Sequence, residues 1–213
     1  MIKYILFFAF SLNLHAANVL VMGDSHTAGP FGQELDKNLR AAGHMVGTYG
    51  SSSSIPGWFL DGTPSKWGIW SKDVNGHVHE VPFKTSAPTP KFFDLVKQNP
   101  EVVIMAFGTN YATKSKKLAI DDMKRFVKVL KDYSLKCYWI TPPETRAFRA
   151  QKMELFNMIK DTVGDYCVLF ESHTVTSYPE TGGDGLHYWS GSLRTIANSW
   201  AKKAAEKFTS HFP

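Results

Sequence analysis

The sequence predicts an α/β fold, a three-layer α/β/α sandwich around a parallel sheet of about five strands. Two observations lead to this prediction. Short apolar segments, of the kind that form strands covered on both faces, alternate along the chain with longer segments of helical periodicity. Glycine, proline and small polar residues separate these segments at most boundaries, as is typical of turns. In such a fold, ligands bind outside the carboxyl ends of the strands.

The first half of the chain predicts two strands, a helix and a long insertion. The first strand is apolar and stops abruptly at Gly23. Residues 51–90 show no sustained periodicity, and an insertion of this length indicates a functional loop rather than a simple connection. Its tryptophans argue against disorder, because such residues are rare in disordered chains. The predicted elements are a strand at 19–22, a helix at 31–42, a strand at 44–49 and a hairpin that turns at Asn75-Gly76.

The second half alternates strictly between helix and strand. The segment 101–107 is apolar at almost every position, as expected for a strand buried on both faces. The segment 118–133 has apolar residues three and four positions apart, the spacing of a helix that buries one side. The predicted elements are helices at 91–98, 118–133, 146–163 and 190–208, and strands at 101–107, 135–141 and 166–170.

Composition fits a single globular domain over residues 18–213. The chain has 213 residues, of which 43% are hydrophobic, enough for a full core. Its formal net charge is +5, and the basic residues are scattered rather than striped, so no nucleic-acid partner is expected. Composition leaves the oligomeric state open.

Residues 1–17 have the pattern of a secretory signal peptide. Lys3 precedes an apolar run, and the small residues that follow predict cleavage after Ala16 or Ala17. The run is too short to span a bilayer comfortably, although an uncleaved anchor is the alternative. The sequence therefore predicts a secreted or periplasmic protein, with no stable membrane insertion after cleavage.

Cys137 and Cys167 occupy early positions of two predicted strands. If these strands are parallel neighbours, the two cysteines lie side by side on adjacent strands, and an oxidising compartment would permit a disulfide between them. The alternative is a pair of buried thiols that act as small apolar side chains. Neither cysteine has a histidine or cysteine partner at metal-ligand spacing, so no metal site is expected there.

Polar residues follow the ends of several predicted strands. Ser25 follows the first strand, Asn110 follows the strand at 101–107, and Asp184 and His187 lie in a glycine-rich loop before the last helix. The carboxyl ends of parallel strands meet at one edge of a sheet, so we expect these side chains to converge. Acyl transfer requires a nucleophile, a base, a carboxylate that orients the base, and donors for an oxyanion.

Three short motifs follow one another along the chain: Gly23-Asp24-Ser25 with Gly29, Gly108-Thr109-Asn110, and Asp184-Gly185-Leu186-His187. In order and spacing they resemble the motifs of the SGNH or GDSL hydrolases. The resemblance implies a flavodoxin-like fold of the SGNH-hydrolase type and no cofactor or metal. It also implies that Ser25 is the nucleophile, that His187 is its general base, and that Asp184 orients the imidazole.

The resemblance further implies an oxyanion hole. The Ser25 N–H and the Asn110 side-chain amide would contribute to it, together with one N–H group from the turn after the second strand. Gly50 or Ser53 would supply that third donor, and Gly50 is preferred because it follows the predicted strand directly. The family usually has aspartate after the asparagine, whereas this chain has Tyr111, which changes the support of the amide.

Aromatic residues near this edge are candidates for substrate binding. Tryptophans in the insertion suit stacking on sugar rings, or they form a satellite core that pins the long loop. His26, beside the nucleophile, is expected to be an exposed turn residue, with substrate contact as the alternative. The candidate substrate-binding residues are Trp58, Trp67, Trp70, Tyr111 and Tyr188.

The sequence thus predicts an exported serine esterase that hydrolyses small acyl esters, acetyl esters first. The expected partner is a small ester or an acylated carbohydrate such as a cell-wall polysaccharide. One alternative is an O-acyltransferase that uses the same three residues with a sugar hydroxyl as acceptor. The other is a carbohydrate-binding protein without activity, against which the intact Ser25, Asp184 and His187 argue.

Overall fold

Residues 16–213 are described by a computed structural model, so nearly all of the predicted signal peptide lies outside the described residues. The central feature is a seven-stranded sheet with helices on both faces. Five neighbouring strands run parallel, which confirms the predicted α/β class. Two antiparallel strands from the 51–90 insertion extend one side of the sheet.

The strands of residues 16–213 form two sheets. Their bounds are β1 Asn18–Gly23, β2 Met45–Ser51, β3 Pro64–Ser65, β4 Ile69–Lys72, β5 Val78–Val81, β6 Ala87–Pro88, β7 Val102–Ala106, β8 Lys136–Ile140 and β9 Cys167–Phe170. The large sheet has the order β5-β4-β2-β1-β7-β8-β9, and β3 pairs with β6 in the small one. Because β1 lies between β2 and β7, the turn that carries Ser25 occupies the middle of the carboxyl edge.

Helices cover both faces of the sheet. Their bounds are α1 Ser25–Ala28, α2 Pro30–Ala41, α3 Pro56–Asp61, α4 Phe92–Leu95, α5 Lys116–Asp132, α6 Lys152–Val163 and α7 Gly191–His211. The sixth helix begins at Lys152 rather than at Arg146, because the Ala147 N–H donates to the carbonyl of Gly185 in a distant loop. No helix within residues 16–213 combines the length and the apolar character that crossing a bilayer requires.

Alternating strand residues supply two separate cores. Val19 and Val21 of β1 face one core, where Trp200 of α7 packs, whereas Leu20 and Met22 face the other. This alternation follows from the two-residue period of a strand. The site therefore rests on a sheet that is packed from both sides, which makes a rigid support for the loops at its edge.

A disulfide joins β8 to β9. Cys137 and Cys167 are register partners in these parallel strands, with Cα atoms 4.5 Å apart, and their sulfurs are bonded. Of the two sequence-based alternatives, the structure contains the disulfide and not the pair of free thiols.

The 51–90 insertion is anchored to the sheet by a buried carboxylate. Asp36 of α2 is fully buried and accepts hydrogen bonds from Lys72 at 2.8 Å, from Arg40 at 3.0 Å and from the Thr48 hydroxyl at 3.1 Å. Lys72 ends β4, so this ion pair fixes the β4–β5 hairpin against α2 and β2. The hairpin turns at Gly76, as predicted, where φ is +89°.

Candidate active site

Ser25 begins a short helix directly after β1. Asp24 caps this helix, since its carboxylate accepts a hydrogen bond from the His26 N–H at 3.0 Å. The turn requires glycine before the cap, because a Cβ atom on Gly23 would lie 1.9 Å from the Thr27 hydroxyl. The Ser25 side chain is nearly buried, and its backbone N–H has no hydrogen-bond partner within residues 16–213.

Ser25, His187 and Asp184 form a continuous hydrogen-bonded series. Nε2 of His187 lies 3.0 Å from Oγ of Ser25, and Nδ1 of His187 lies 2.6 Å from Oδ2 of Asp184. A carboxylate beside Nδ1 favours the tautomer with its proton there, which leaves Nε2 free to accept the serine proton. The structure thus brings Ser25 together with Asp184 and His187, which share one loop far along the chain.

Local hydrogen bonds keep Asp184 ionised. Partial burial raises the pKa of its carboxyl group, but bonds from the His187 backbone N–H, the His187 side chain and the Leu186 N–H outweigh it. The resulting pKa is about 2, well below the ordinary aspartate value. Asp184 is therefore a carboxylate throughout the neutral pH range and can stabilise a protonated imidazole.

Arg146 holds the loop that carries Asp184 and His187. Its guanidinium group faces the carbonyl oxygens of this loop. Arg146 takes part in none of the salt bridges found in residues 16–213. It donates to four carbonyl oxygens at 2.9–3.4 Å, those of Pro179, Glu180, Gly182 and Gly183. The sequence contains no signal for this role, because Arg146 is separated from the loop by a helix and a strand.

Tyr178 braces the same loop from the inside. Its hydroxyl oxygen accepts a hydrogen bond from the Gly185 N–H at 3.1 Å and donates towards the carbonyl of His187 at 3.3 Å. Gly182, Gly183 and Gly185 all have positive φ, which allows the loop to turn tightly around these partners. Arg146 and Tyr178 are thus positioning residues that sequence reasoning missed.

Asn110 follows β7, the strand that pairs with β1. It belongs to a 3₁₀ turn at Thr109–Thr113, and its Nδ2 donates to the carbonyl of Ser54 at 2.9 Å. This bond uses one amide hydrogen and orients the group, so the second hydrogen remains available for an oxyanion.

The structure contradicts the preference for Gly50 as an oxyanion donor. Gly50 lies inside β2, opposite Trp70 of β4. Two residues further on, the Ser52 N–H donates to the Gly68 carbonyl at 3.0 Å. Because hydrogen-bonded pairs recur at every second residue of an antiparallel ladder, Gly50 and Trp70 form a hydrogen-bonded pair of the same kind. The Gly50 N–H is therefore directed at Trp70 rather than at the site.

Ser53 is the alternative donor that the geometry supports. Its φ of +65° turns the backbone out of the strand, and its N–H has no hydrogen-bond partner within the described residues. The neighbouring Ser54 hydroxyl donates to the Gly23 carbonyl at 3.4 Å, which ties this turn to the end of β1. The three candidate donors, on Ser53, Ser25 and Asn110, thus follow the adjacent strands β2, β1 and β7.

Tyr111 and Tyr188 are not substrate-binding residues, contrary to the sequence-based prediction. Both rings are buried in the two cores. The Tyr111 hydroxyl donates to Asp122 at 2.6 Å, and burial together with this carboxylate raises the tyrosine pKa. The Tyr188 hydroxyl donates to the carbonyl of Glu144. Tyr111 therefore ties the turn that carries Asn110 to α5.

The three tryptophans of the insertion lie in two different places. Trp58 lines a groove beside α5 together with Leu118 and Arg125. Trp67 and Trp70 line a second groove next to the short helix of Ser25, where Trp70 is mostly buried and Trp67 is exposed. The structure therefore separates one candidate from the other two.

Trp189, which by its position in the sequence could line the pocket or simply start the last helix, is a site residue in the structure. Its indole stacks on the imidazole of His187 with ring centroids 4.2 Å apart, and it lines the same groove as Trp67. A Cβ atom on Gly29 would lie 2.8 Å from its Nε1, so the glycine of the first motif makes room for this ring. Its position two residues after His187 was the only signal in the sequence.

His26 is buried, and the expectation of an exposed turn residue is wrong. Its side chain is only 3% exposed, because the helix that displays Ser25 turns the next residue inward against Trp200 and His187. Burial lowers the His26 pKa to about 3, so the imidazole is neutral at physiological pH. Neither ring nitrogen has a hydrogen-bond partner within residues 16–213.

Comparison with solved structures identifies the fold. The chain is similar to a GDSL-like lipase from Bacteroides thetaiotaomicron, with a TM-score of 0.53, 14% identity, and coverage of 90% of this chain and 89% of that one. It is also similar to a lipase/acylhydrolase from Enterococcus faecalis, with a TM-score of 0.54, 17% identity, and coverage of 89% and 96% respectively. No protein-family model and no curated protein matches the sequence.

Proposed function

We propose that this chain, which has the fold of the SGNH/GDSL hydrolases, is a serine esterase that removes small acyl groups, acetyl first, from a carbohydrate. The observation that carries the proposal is the series from Ser25 Oγ to His187 Nε2 at 3.0 Å and from His187 Nδ1 to Asp184 at 2.6 Å. The names of the structural neighbours, a lipase and a lipase/acylhydrolase, support ester hydrolysis on this fold.

In the acylation step, Ser25 Oγ attacks the carbonyl carbon of the ester while His187 Nε2 removes the hydroxyl proton. The carbonyl oxygen becomes an oxyanion, for which the N–H groups of Ser25 and Ser53 and the amide of Asn110 are the available donors. The imidazolium then gives its proton to the departing alcohol oxygen as the ester C–O bond breaks. An acyl group remains on Ser25, and the alcohol leaves.

In the deacylation step, water takes the place of the alcohol. His187 removes a proton from the water molecule as its oxygen attacks the acyl carbon, and the same donors stabilise the second oxyanion. The proton returns to Ser25 Oγ when the acyl bond to the serine breaks. The products are a carboxylic acid and the free enzyme, and the carboxylate of Asp184 stabilises the imidazolium in both steps.

The preference for a small acyl group rests on the confinement of Ser25. The turn at residues 51–54 is tied to β1 through the Ser54 hydroxyl, and the Asn110 amide closes against that turn at 2.9 Å. Ser25 itself is only 7% exposed, and of the acyl groups an acetyl group requires the least space beside so enclosed a nucleophile.

Export is supported by two independent features. The signal-like sequence of residues 1–17 precedes the first strand. The Cys137–Cys167 disulfide suits an oxidising compartment, since disulfides are rare in the reducing cytosol.

The test is hydrolysis of 4-nitrophenyl acetate by the purified protein and by Ser25→Ala. We expect the variant to lose activity by about three orders of magnitude or more. Ser86→Ala serves as the control because Ser86 is exposed in a loop of the insertion. Equal rates for the wild type and Ser25→Ala would refute the serine mechanism. Acetylated sugar as the main product, when chitotetraose is added as acceptor, would identify an O-acyltransferase instead.

A further inference from the structure

We propose that a groove beside Ser25 binds a pyranose ring of the acylated glycan, in a subsite that determines the choice of substrate. This inference rests on the proposed function. The groove has a volume of about 430 Å³, within the range of small-molecule sites. We call it the aromatic groove and define it by Trp67, Phe83 and Trp189 on its walls and by Trp70 and Glu80 beside them.

The walls are aromatic rings that the core does not use. Trp67, Phe83 and Trp189 are 52%, 55% and 45% exposed, although each ring carries a large apolar surface. Trp67 and Phe83 pack against each other with ring centroids 5.2 Å apart and planes inclined by 52°, so they present a fixed, angled surface. A cluster of exposed aromatic rings in one concavity is typical of a binding site.

The groove adjoins the catalytic residues. Trp189 forms one wall and stacks on His187, and Ala28, the last residue of the Ser25 helix, lines the same groove. A ligand in the groove therefore lies next to the ester that Ser25 attacks. On the other side, the β4–β5 hairpin supplies Trp70 and Glu80 and is held in place by the Lys72–Asp36 ion pair.

Glu80 gives the groove a carboxylate that can accept hydrogen bonds. Its side chain is exposed on β5, and it takes part in none of the salt bridges within residues 16–213. A carboxylate accepts hydrogen bonds strongly and has two oxygens, so it can bind two neighbouring hydroxyl groups of one ring. Its position beside aromatic walls combines a hydroxyl-binding group with flat apolar surfaces.

This combination selects a sugar over a long acyl chain. A pyranose ring has one face of C–H groups, which the negative face of an aromatic ring attracts, and a rim of hydroxyl donors for Glu80. An acyl chain has no donor, and it would remove water from the carboxylate without replacing the lost hydrogen bonds. The groove therefore matches the alcohol part of the ester rather than the acyl part.

The first experiment compares Trp67→Ala and Phe83→Ala with wild type on O-acetylated chitotetraose, xylotetraose and mannotetraose and on 4-nitrophenyl acetate. We expect kcat/KM to fall about tenfold further on the preferred glycan than on the small ester, mainly through KM. Phe93→Ala is the matched control, because Phe93 is a similarly exposed phenylalanine outside the groove. Equal losses on both kinds of substrate, or activity on the small ester with none on any glycan, would overturn the proposal.

The second experiment distinguishes sugar from acyl chain. Glu80→Gln should lower kcat/KM on the glycan by several-fold more than on 4-nitrophenyl acetate, because the amide is a weaker acceptor. If the groove instead held an acyl chain, Glu80→Gln would raise activity on 4-nitrophenyl octanoate relative to the acetate. That result would overturn the proposal.

The third experiment separates this proposal from the proposed function. Ser25→Ala retains the groove, so it should bind the preferred acetylated oligosaccharide, with a change in tryptophan fluorescence that Trp67→Phe reduces. Failure of the serine mechanism appears as equal hydrolysis by wild type and Ser25→Ala. Failure of the subsite appears as unaltered oligosaccharide binding when Trp67, Phe83 and Glu80 are replaced, whether or not the enzyme hydrolyses esters.

Discussion

The indole of Trp189 stacks on the imidazole of His187, with ring centroids 4.2 Å apart and planes inclined by 27°. The ring of His26 lies 5.7 Å from the same imidazole. The base is therefore restrained by packing as well as by its hydrogen bond to Asp184. This restraint matters because proton transfer requires Nε2 to remain within hydrogen-bond reach of Ser25.

Replacing Trp189 with alanine should lower kcat for 4-nitrophenyl acetate by about tenfold, because the imidazole would then sample unproductive rotamers. Trp189→Phe should retain most of the activity, since a phenyl ring can still stack. The measurement is kcat at saturating substrate, with the melting temperature as a check on folding. A wild-type kcat for Trp189→Ala would show that Asp184 alone orients the base.

Replacing Asp184 with asparagine should lower kcat by about two to four orders of magnitude, because the amide neither carries the charge nor favours the required tautomer. The pKa of Asp184 is about 2, so the carboxylate stays ionised as the pH falls from 9 to about 5. Loss of activity in that interval must come from another group. Asp165→Asn is the control, since this residue lies in the turn after α6. Activity of Asp184→Asn within twofold of wild type would contradict the assignment.

Replacing Asn110 with alanine should lower kcat by about two orders of magnitude, since one oxyanion donor typically contributes that much. The bond to the Ser54 carbonyl would also be lost, so circular dichroism and the melting temperature must show that the fold persists. Asn157→Ala, on an exposed position of α6, is the matched control. An effect on KM alone would place Asn110 in substrate binding instead.

Replacing His26 with leucine should make the protein less sensitive to acid. The pKa of His26 falls from 6.5 to about 3 on folding, so the unfolded chain binds the proton more readily in this interval. The contribution of this group to stability is complete above pH 6.5 and declines as the pH falls towards 3, by at most about 1.4 kcal/mol per pH unit.

The measurement for His26 is the difference in melting temperature between His26→Leu and wild type from pH 7 to pH 4. Only this difference isolates His26, because Asp24 also changes the stability of the protein with pH. Burial raises the Asp24 pKa to about 7, so the contribution of Asp24 to stability declines as the pH rises. The difference should shift in favour of His26→Leu as the pH falls. A difference that does not change with pH would show that His26 does not titrate in this way.

Replacing both Cys137 and Cys167 with alanine should lower the free energy of unfolding by about 3–4 kcal/mol in the chain-entropy picture of a loop of this length. The disulfide closes a loop with a sequence separation of 30. Thermal unfolding with and without a reducing agent is the measurement. The reductant should destabilise the wild type and leave the double variant unaffected, and an equal response would argue against the disulfide.

Two features of the fold follow from local sequence alone. The apolar segments 101–107 and 135–141 predict buried parallel strands, because side chains at every position must be covered on both faces. Ser25, Asn110, Asp184 and His187 are predictable site residues because each lies just beyond a strand or directly before the last helix. Parallel strands place such positions at one edge without any knowledge of side-chain contacts.

Other features depended on side-chain direction, which local sequence does not specify. Tyr111 and Tyr188 adjoin the site in sequence, but the turns that carry them direct both rings into the cores. His26 faces Trp200 in the core for the same reason that Ser25 faces His187, since adjacent residues of a helical turn face different sides. Gly50 and Ser53 differ because β4 pairs with β2, and this pairing comes from an insertion without sustained periodicity.

The sequence by itself determined the fold class, the parallel core of the sheet and the four polar residues at its edge, because these follow from periodicity and from the geometry of parallel strands. Only the tertiary structure decided which backbone N–H groups remain free, which aromatic rings reach the groove, and that Arg146 and Tyr178 hold the loop of Asp184 and His187. Many of these contacts, such as that of Arg146 with the Glu180 carbonyl, join segments that are far apart along the chain. They arise only when the packed sheet brings those segments together.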